Sequence, residues 1–228
     1  MSAQQLRFYQ TTLGKKVVMA VSGVILIGFI IGHMAGNLQI FLELVEPGLG
    51  KVKLDEYAAF LHSLPALIWG TRIVLLISVI AHFLSAFSLW KQNNRARPRG
   101  YKISVSRTTT YAARTMRWGG VIVLLFITYH LLHLTAGQVG PEVIFGKVYD
   151  NVVRGFSNPV VAGFYILAQL CLGLHLYHGV WSLMQTMGLN HDKYNALRRK
   201  LAAGVSLLVT GGNVAIPVAV LAGLLKLT

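Results

Sequence analysis

Residues 160–186 read VVAGFYILAQLCLGLHLYHGVWSLMQT. The stretch holds no Asp, Glu, Lys or Arg, and it exceeds the roughly 20 apolar residues that carry a helix across a hydrocarbon core of about 30 Å. It therefore reads as a membrane-spanning helix. Yet His175 and His178 lie in its second half. Histidine is rare in hydrocarbon and, where it occurs, faces the interior of a helix bundle. The length of the stretch sets the fold, and its two histidines pose the question of function.

Working outward, four more runs reach spanning length: 16–42, 66–90 and 117–137 before it, and 202–226 after it. The expectation is an all-α, polytopic membrane protein. Residues 1–228 would form a single domain of five spanning helices, four in a core with the fifth beside them. The composition agrees. Apolar residues make up 54% and charged residues 12%, with a mean hydropathy of +0.58, whereas soluble domains carry about 25% charged residues. The run after Lys15 and Lys16 continues to about Leu42. That is too long for a signal-peptide core of about 7–15 residues, so it is expected to be a retained span.

The net charge is +14. In a soluble protein such an excess suggests nucleic acid. Here the cations fall between the apolar runs, and no basic helix is interleaved with exposed aromatics, so nucleic-acid binding is not expected. Arg7, Lys15 and Lys16 precede the first span. Eight basic and no acidic residues lie from Lys91 to Arg117, and Lys193, Arg198, Arg199 and Lys200 face only Asp192. The alternate loops hold Glu43, Glu46, Asp55, Glu56, Glu142 and Asp150. By the positive-inside rule, the N-terminus is cytoplasmic and the C-terminus outside, as an odd number of spans requires.

No carboxylate lies well inside a span. Ion-coupled carriers usually place one there, so a pump or channel is the weaker reading. Arg72 is the main charge within a span. It either snorkels to the outer surface or pairs with an anionic cofactor group. Cys171 stands alone; it can form no intrachain disulfide and hold no iron–sulfur cluster, and it reads as a small packing residue. With no C-x-x-C-H present, any haem would be held without thioether bonds.

Six of the eight histidines fall in four consecutive spans: His33, His82, His130, His133, His175 and His178. At about 1.5 Å per residue, His33 lies about 25 Å beyond Lys16, and His130 about 20 Å beyond Arg117. Both helices run outward, so both residues sit toward the outer leaflet. His82 lies about 14 Å before Lys91, and His175 about 15 Å before Gln185, on helices that run inward. Depth thus sorts four histidines into two pairs, His33 with His130 and His82 with His175. Each pair comes from helices of one direction, which can lie diagonally in a bundle. Two axial nitrogens on opposite faces suit haem b, and filled axial positions point to electron transfer. Zinc would need ligands clustered at one depth, and none are visible. Depth does not separate His130 from His133, nor fix His178, since residues three apart share a face. The spare histidines either bond haem propionates or pack. Gly28, Gly32 and Gly36 either bring helices close or admit a flat macrocycle beside His33.

Several segments carry a resemblance: GKKVVMAVSGVILIGFIIGHMAGNLQIF, YAAFLHSLPALIWGTRIVLL, ARPRGY, YAARTM, YHLLH, VYDNVVRGFSNPVVAGFY and LHLYHGVWSLMQTMGLN. Together they resemble the single-chain, five-helix, dihaem cytochrome b subunit of succinate:quinone oxidoreductases (succinate dehydrogenase and fumarate reductase). The pattern H-x-x-H-G-x-W-S, from His175 to Ser182, is the most specific part. The resemblance implies His33 and His130 as ligands of a distal haem b, and His82 and His175 as ligands of a proximal one. It prefers His130 to His133 and His175 to His178, leaving the second of each, with Arg72, as further haem contacts. It implies a flavoprotein subunit with covalent FAD, an iron–sulfur subunit, a quinone substrate (menaquinone or ubiquinone), and a place in the cytoplasmic membrane; a higher oligomer of that complex stays open. Some relatives use a boundary glutamate for protons, whereas Glu43 and Glu56 are loop-border residues here. Quinone contacts are sought at Arg72 and His62 near the outer side, and at Tyr111, Arg114 and Arg117 near the inner side. A cytochrome b anchor for another quinone-linked dehydrogenase, such as a hydrogenase or formate dehydrogenase, is the rival reading.

Overall fold

The computed structural model describes residues 8–96 and 111–227. Arg7, ARPRGY beyond its Ala96, and much of the basic stretch between the second and third spans lie outside the described residues.

The long elements are α1 (Thr12–Asn37), α2 (Leu49–His62), α3 (Pro65–Arg95), α4 (Tyr111–His130), α5 (Val148–Phe156), α6 (Pro159–Thr186) and α7 (Asn195–Leu221). Their starts follow from local chemistry. The Thr11 hydroxyl accepts from Gly14 N at 2.9 Å, which satisfies one of the free amides of α1. Asn158 accepts from Val160 N at 2.9 Å and is followed by Pro159, which needs no donor partner in a first turn. α1 narrows into a 3₁₀ segment, Leu38–Leu44, and α4 widens into a π-helical turn, Leu131–Thr135.

Among the described residues, five segments are long and apolar enough to cross a membrane: Thr12–Leu44, Pro65–Arg95, Tyr111–Thr135, Pro159–Thr186 and Asp192–Leu221. The protein is all-helical and multi-pass. Helices overrun several of the expected edges, because capping and intrahelical bonds carry a helix past the hydrocarbon into polar sequence. The last differs most: α7 starts at Asn195 and ends at Leu221, ahead of the expected end at 226. There Gly223, at φ 68°, adopts the left-handed conformation that ends helices. Large apolar side chains such as Leu207, Trp118 and Val160 stand more than 70% exposed, as a lipid-facing surface would.

α1 packs on α3, α4 on α6, and α6 on α7, and α1 also touches α6 and α7. The order around the core is therefore α3, α1, α6, α4, with α7 outside α6. Two diagonals result, α1 with α4 and α3 with α6. The α6–α7 seam is close. The Ser206 hydroxyl donates to the Gly173 carbonyl at 2.7 Å, and a Cβ at Gly173 would collide with the Thr210 hydroxyl. At Gly212 a Cβ would run into Met34 of α1.

One end of the bundle carries Lys15, Lys16, Arg95, Arg114, Arg117 and Arg198–Lys200, and is called here the basic end. The other carries six of the seven acidic residues and is called the acidic end. Its connections contain two helices, α2 and α5, where sequence reading expected only loops. Glu43 shapes the first: its carboxylate accepts from Gly48 N at 2.9 Å and Lys51 N at 3.2 Å, capping α2. α5 is amphipathic and lays Tyr149, Val153 and Phe156 on the core. Lys51 pairs with Asp150 at 3.0 Å, Asp55 accepts from Tyr149 N at 3.1 Å, and the Tyr149 hydroxyl donates to the Lys226 carbonyl at 3.0 Å. The two short helices thus form one hydrogen-bonded layer with the C-terminal segment.

Candidate paired-histidine site

The diagonals bring four histidines together in twos. His33 of α1 and His130 of α4 have ring centres 5.8 Å apart. His82 of α3 and His175 of α6 have ring centres 6.2 Å apart. Metal–imidazole bonds are about 2 Å long. Two imidazoles on opposite sides of one metal ion therefore have facing nitrogens about 4 Å apart and ring centres about 6 Å apart. Both observed spacings fit a bis-histidine iron. Among the described residues no group of three or more His, Cys, Asp and Glu side chains gathers at one point; the histidines come as pairs.

The His82 pair is oriented from behind. His82 Nδ1 lies 3.1 Å from the Met19 carbonyl and 3.2 Å from the Ser22 hydroxyl. The Ser22 hydroxyl itself donates to the Val18 carbonyl at 2.7 Å, so the Nδ1 proton goes to Met19 and Nε2 keeps its lone pair, the arrangement a metal-bound histidine would need. His175 Nδ1 is buried without a hydrogen-bond partner, a polar atom whose burial asks for a function. A Cβ at Gly23 would sit 3.5 Å from His82, and one at Gly120 would sit 3.5 Å from His175. Each ring thus sits beside a glycine of the neighbouring helix, with room for about a methyl group between them.

The His33 pair has different support. Phe29 stacks on His33, with ring centres 5.4 Å apart, and the Asn37 amide nitrogen lies 3.1 Å from His33 Nε2. Ligation through Nε2 therefore displaces Asn37, whereas Nδ1 is not engaged by it. A Cβ at Gly28 or Gly32 would meet nothing within 4 Å, while one at Gly36 would press on Tyr57. Close helix packing thus accounts for Gly36, against α2, and for neither of the other two. The open space beside Gly28 and Gly32 agrees with a flat group held there.

His133 and His130 part company in space. The π-helical turn begins directly after His130, with Ala136 N bonding back to the Leu131 carbonyl at 2.8 Å. His133 is 1% exposed and sits between Gly140 and Gly155, where a Cβ at either would come within 3 Å of its ring. Its Nδ1 bonds the Tyr165 hydroxyl at 2.9 Å. His130 alone faces His33. His178 lies half-buried one turn from His175, toward the basic end.

Among the other expected contacts, Tyr111 shares a cleft with His175; the rest make different contacts. Arg72 is exposed, its guanidinium over Trp69 at 5.0 Å. His62 bonds its own Ala58 carbonyl at 2.8 Å and meets the exposed Phe145 edge-on. Arg114 is exposed, and Arg117 approaches Trp90 of α3 at 5.9 Å. Tyr111 lines a cleft of about 190 Å³ between α4 and α6, which also includes Thr115, Cys171 and His175. A larger cleft, about 450 Å³, opens between α1 and α3 beside Phe29 and Thr71. Ser22, Gly23, Gly120 and Tyr165 were missed in the sequence. Ser22 had a visible signal, a lone hydroxyl amid the apolar first span; the others had none.

The fold and the paired histidines define a helical, multi-pass membrane protein in which two pairs of imidazoles meet between diagonal helices. Residues 91–213, more than half of the chain, match the family described as succinate dehydrogenase/fumarate reductase transmembrane subunit. The chain belongs to that family. It is also similar to the succinate dehydrogenase cytochrome b558 subunit of Bacillus subtilis (strain 168), with 35% identity over 71 residues. That alignment spans 31% of this chain and only 33% of the relative. No solved structure matches the chain.

Proposed function

We propose that the chain is the membrane anchor of a succinate:quinone oxidoreductase and passes electrons between an iron–sulfur subunit and membrane quinone through two bis-histidine haems b. The observation that carries the reading is the two diagonal histidine pairs with ring centres 5.8 and 6.2 Å apart. The family membership, and a relative whose name is that of a succinate dehydrogenase cytochrome, support the same reading.

His33 and His130 would hold one haem, and His82 and His175 the other. Haem b supplies a one-electron couple at its iron. The chain's own residues do the rest. With an imidazole from each of its two helices, each pair would leave the iron no open position for oxygen. Met19 fixes the tautomer of His82, and the lipid-facing walls keep water out. Because the pairs sit at different depths, they form a path along the membrane normal.

In this reading the basic end is cytoplasmic and docks the iron–sulfur and flavoprotein subunits, and the C-terminus lies outside. The covalent FAD and the iron–sulfur clusters belong to those partners. Quinone brings an apolar tail and two carbonyls, which call for an apolar slot with a few donors. Two clefts open toward lipid. The one beside Tyr111 and Thr115 adjoins His175, and the one beside Thr71 adjoins the His33 pair through Phe29.

The test is gentle purification from native membrane, with a dithionite-reduced minus oxidised spectrum and identification of the bound chains. A bis-histidine haem b spectrum with flavoprotein and iron–sulfur subunits attached is expected. A colourless chain overturns the haem reading. A coloured chain bound to another dehydrogenase overturns the succinate reading alone.

A further inference from the structure

His133 is buried, titratable and unused by the pairs, and Tyr165, to which it is hydrogen-bonded, touches a proposed ligand. The Tyr165 hydroxyl lies 2.9 Å from His133 Nδ1 and 3.4 Å from His130 Nδ1. Tyr165 is 4% exposed and wedged edge-on between Phe126 and Phe156, at centroid distances of 5.1 and 4.8 Å. It cannot turn away from either histidine without breaking that packing.

Proton accounting gives the network one direction. A neutral imidazole carries one N–H. If His130 offers Nε2 to iron, its Nδ1 holds the proton and must donate. The Tyr165 oxygen then accepts it, and the Tyr165 proton is left to point at His133 Nδ1. His133 Nδ1 must accept, so its own proton sits on Nε2, the nitrogen held between Gly140 and Gly155. Reversing the Tyr165–His130 bond would put the His130 proton on Nε2 and block it, and reversing the His133–Tyr165 bond would leave the buried Tyr165 proton without an acceptor.

We propose that Tyr165, backed by His133, is a positioning residue that fixes the tautomer and ring orientation of His130 and thereby tunes the haem held with His33. This rests on reading His130 as an iron ligand. An acceptor on the far nitrogen makes a ligating imidazole a stronger donor, which favours the oxidised iron. The His133 ring also packs closely against Gly155 of α5, which places the network against the acidic-end layer.

The experiment is a redox titration of both haems in the purified complex carrying Tyr165→Phe. Both haems should remain, the midpoint potential of the His33–His130 haem should rise, and that of the other should stay. Two retained haems with unchanged potentials, or equal shifts in both, overturn the proposal. Should that complex fail to assemble, His133→Leu takes its place; it keeps Tyr165 and removes the group that orients it. A rise confined to the same haem supports the proposal, and an unchanged potential overturns it. Absence of haem from the unaltered complex would instead defeat the reading of the chain as a cytochrome.

Discussion

His82 and His175 lie on non-adjacent helices, yet their rings face each other with centres 6.2 Å apart. Between α3 and α6, which share no packed backbone seam among the described residues, this meeting is what spans that diagonal. Replacing either by alanine should remove one haem and leave the other. Replacing His33 or His130 should remove the complementary one. Haem-to-protein ratio by alkaline pyridine spectroscopy reads the outcome, and full retention in His82→Ala contradicts the pairing.

The glycines beside this pair give a graded version of the same test. A Cβ at Gly120 would stand 3.5 Å from His175, an ordinary contact, so Gly120→Ala should bind both haems. Gly120→Leu should push the His175 ring off its line and lower occupancy of that haem alone. Gly23→Leu should do the same through His82. Equal loss of both haems would point to general unfolding instead.

His133 should behave unlike His130. His133→Ala leaves a buried Tyr165 hydroxyl without its acceptor and opens a cavity, together costing on the order of 2–4 kcal/mol. Thermal stability should fall while the haem count holds. His130→Ala should lose a haem. Loss of a haem in both would mean the two residues are not separable in this way.

The five spans were legible because apolar length is a physical requirement of the membrane, and the pairing was legible because depth follows from rise per residue. α2 and α5 were not. α2 follows Gly48, at φ 87°, and is capped by a glutamate that precedes it, and α5 spans nine residues, too few for periodicity to stand out. The tie between His130 and His133 could not break from spacing alone, because it depends on Tyr165, thirty-odd residues away in sequence, and on a wide turn that no residue type announces.

The α6–α7 seam predicts a stability effect without a spectral one. In Gly173→Ala the new methyl must displace Thr210 and disturb the bond from Ser206 to the Gly173 carbonyl. Overpacking of this kind costs about 1–3 kcal/mol. The melting temperature of the detergent-solubilised complex should drop with haem spectra unchanged; an unchanged melting temperature would mean the seam yields freely.

At the acidic end, burial raises the Tyr149 phenol above its usual value of 10.0, and the charge of Glu43 adds to the rise. A raised folded-state value means stability that is fully present below about pH 10 and is lost as pH climbs through the folded value. The layer of α2 and α5 should therefore hold through neutral and mildly alkaline pH and loosen only above about pH 10. Tyr149→Phe should be weaker by about 1 kcal/mol at neutral pH and should show a flatter alkaline decline. Hydrogen exchange of α5 amides against pH reads both.

The π-helical turn at Leu131–Thr135 also makes this the one place in the third span where chain length and backbone register are decoupled. Wide winding holds one residue more than an α-turn of the same rise. Removing one residue there ahead of His133 would let the backbone return to ordinary winding with its own ladder intact, but would move His133 to another point on the helix circumference and off Tyr165. Such single-residue deletions should thus spare the helix and unmake the network, whereas the same deletion earlier in α4 would also swing His130 away from His33.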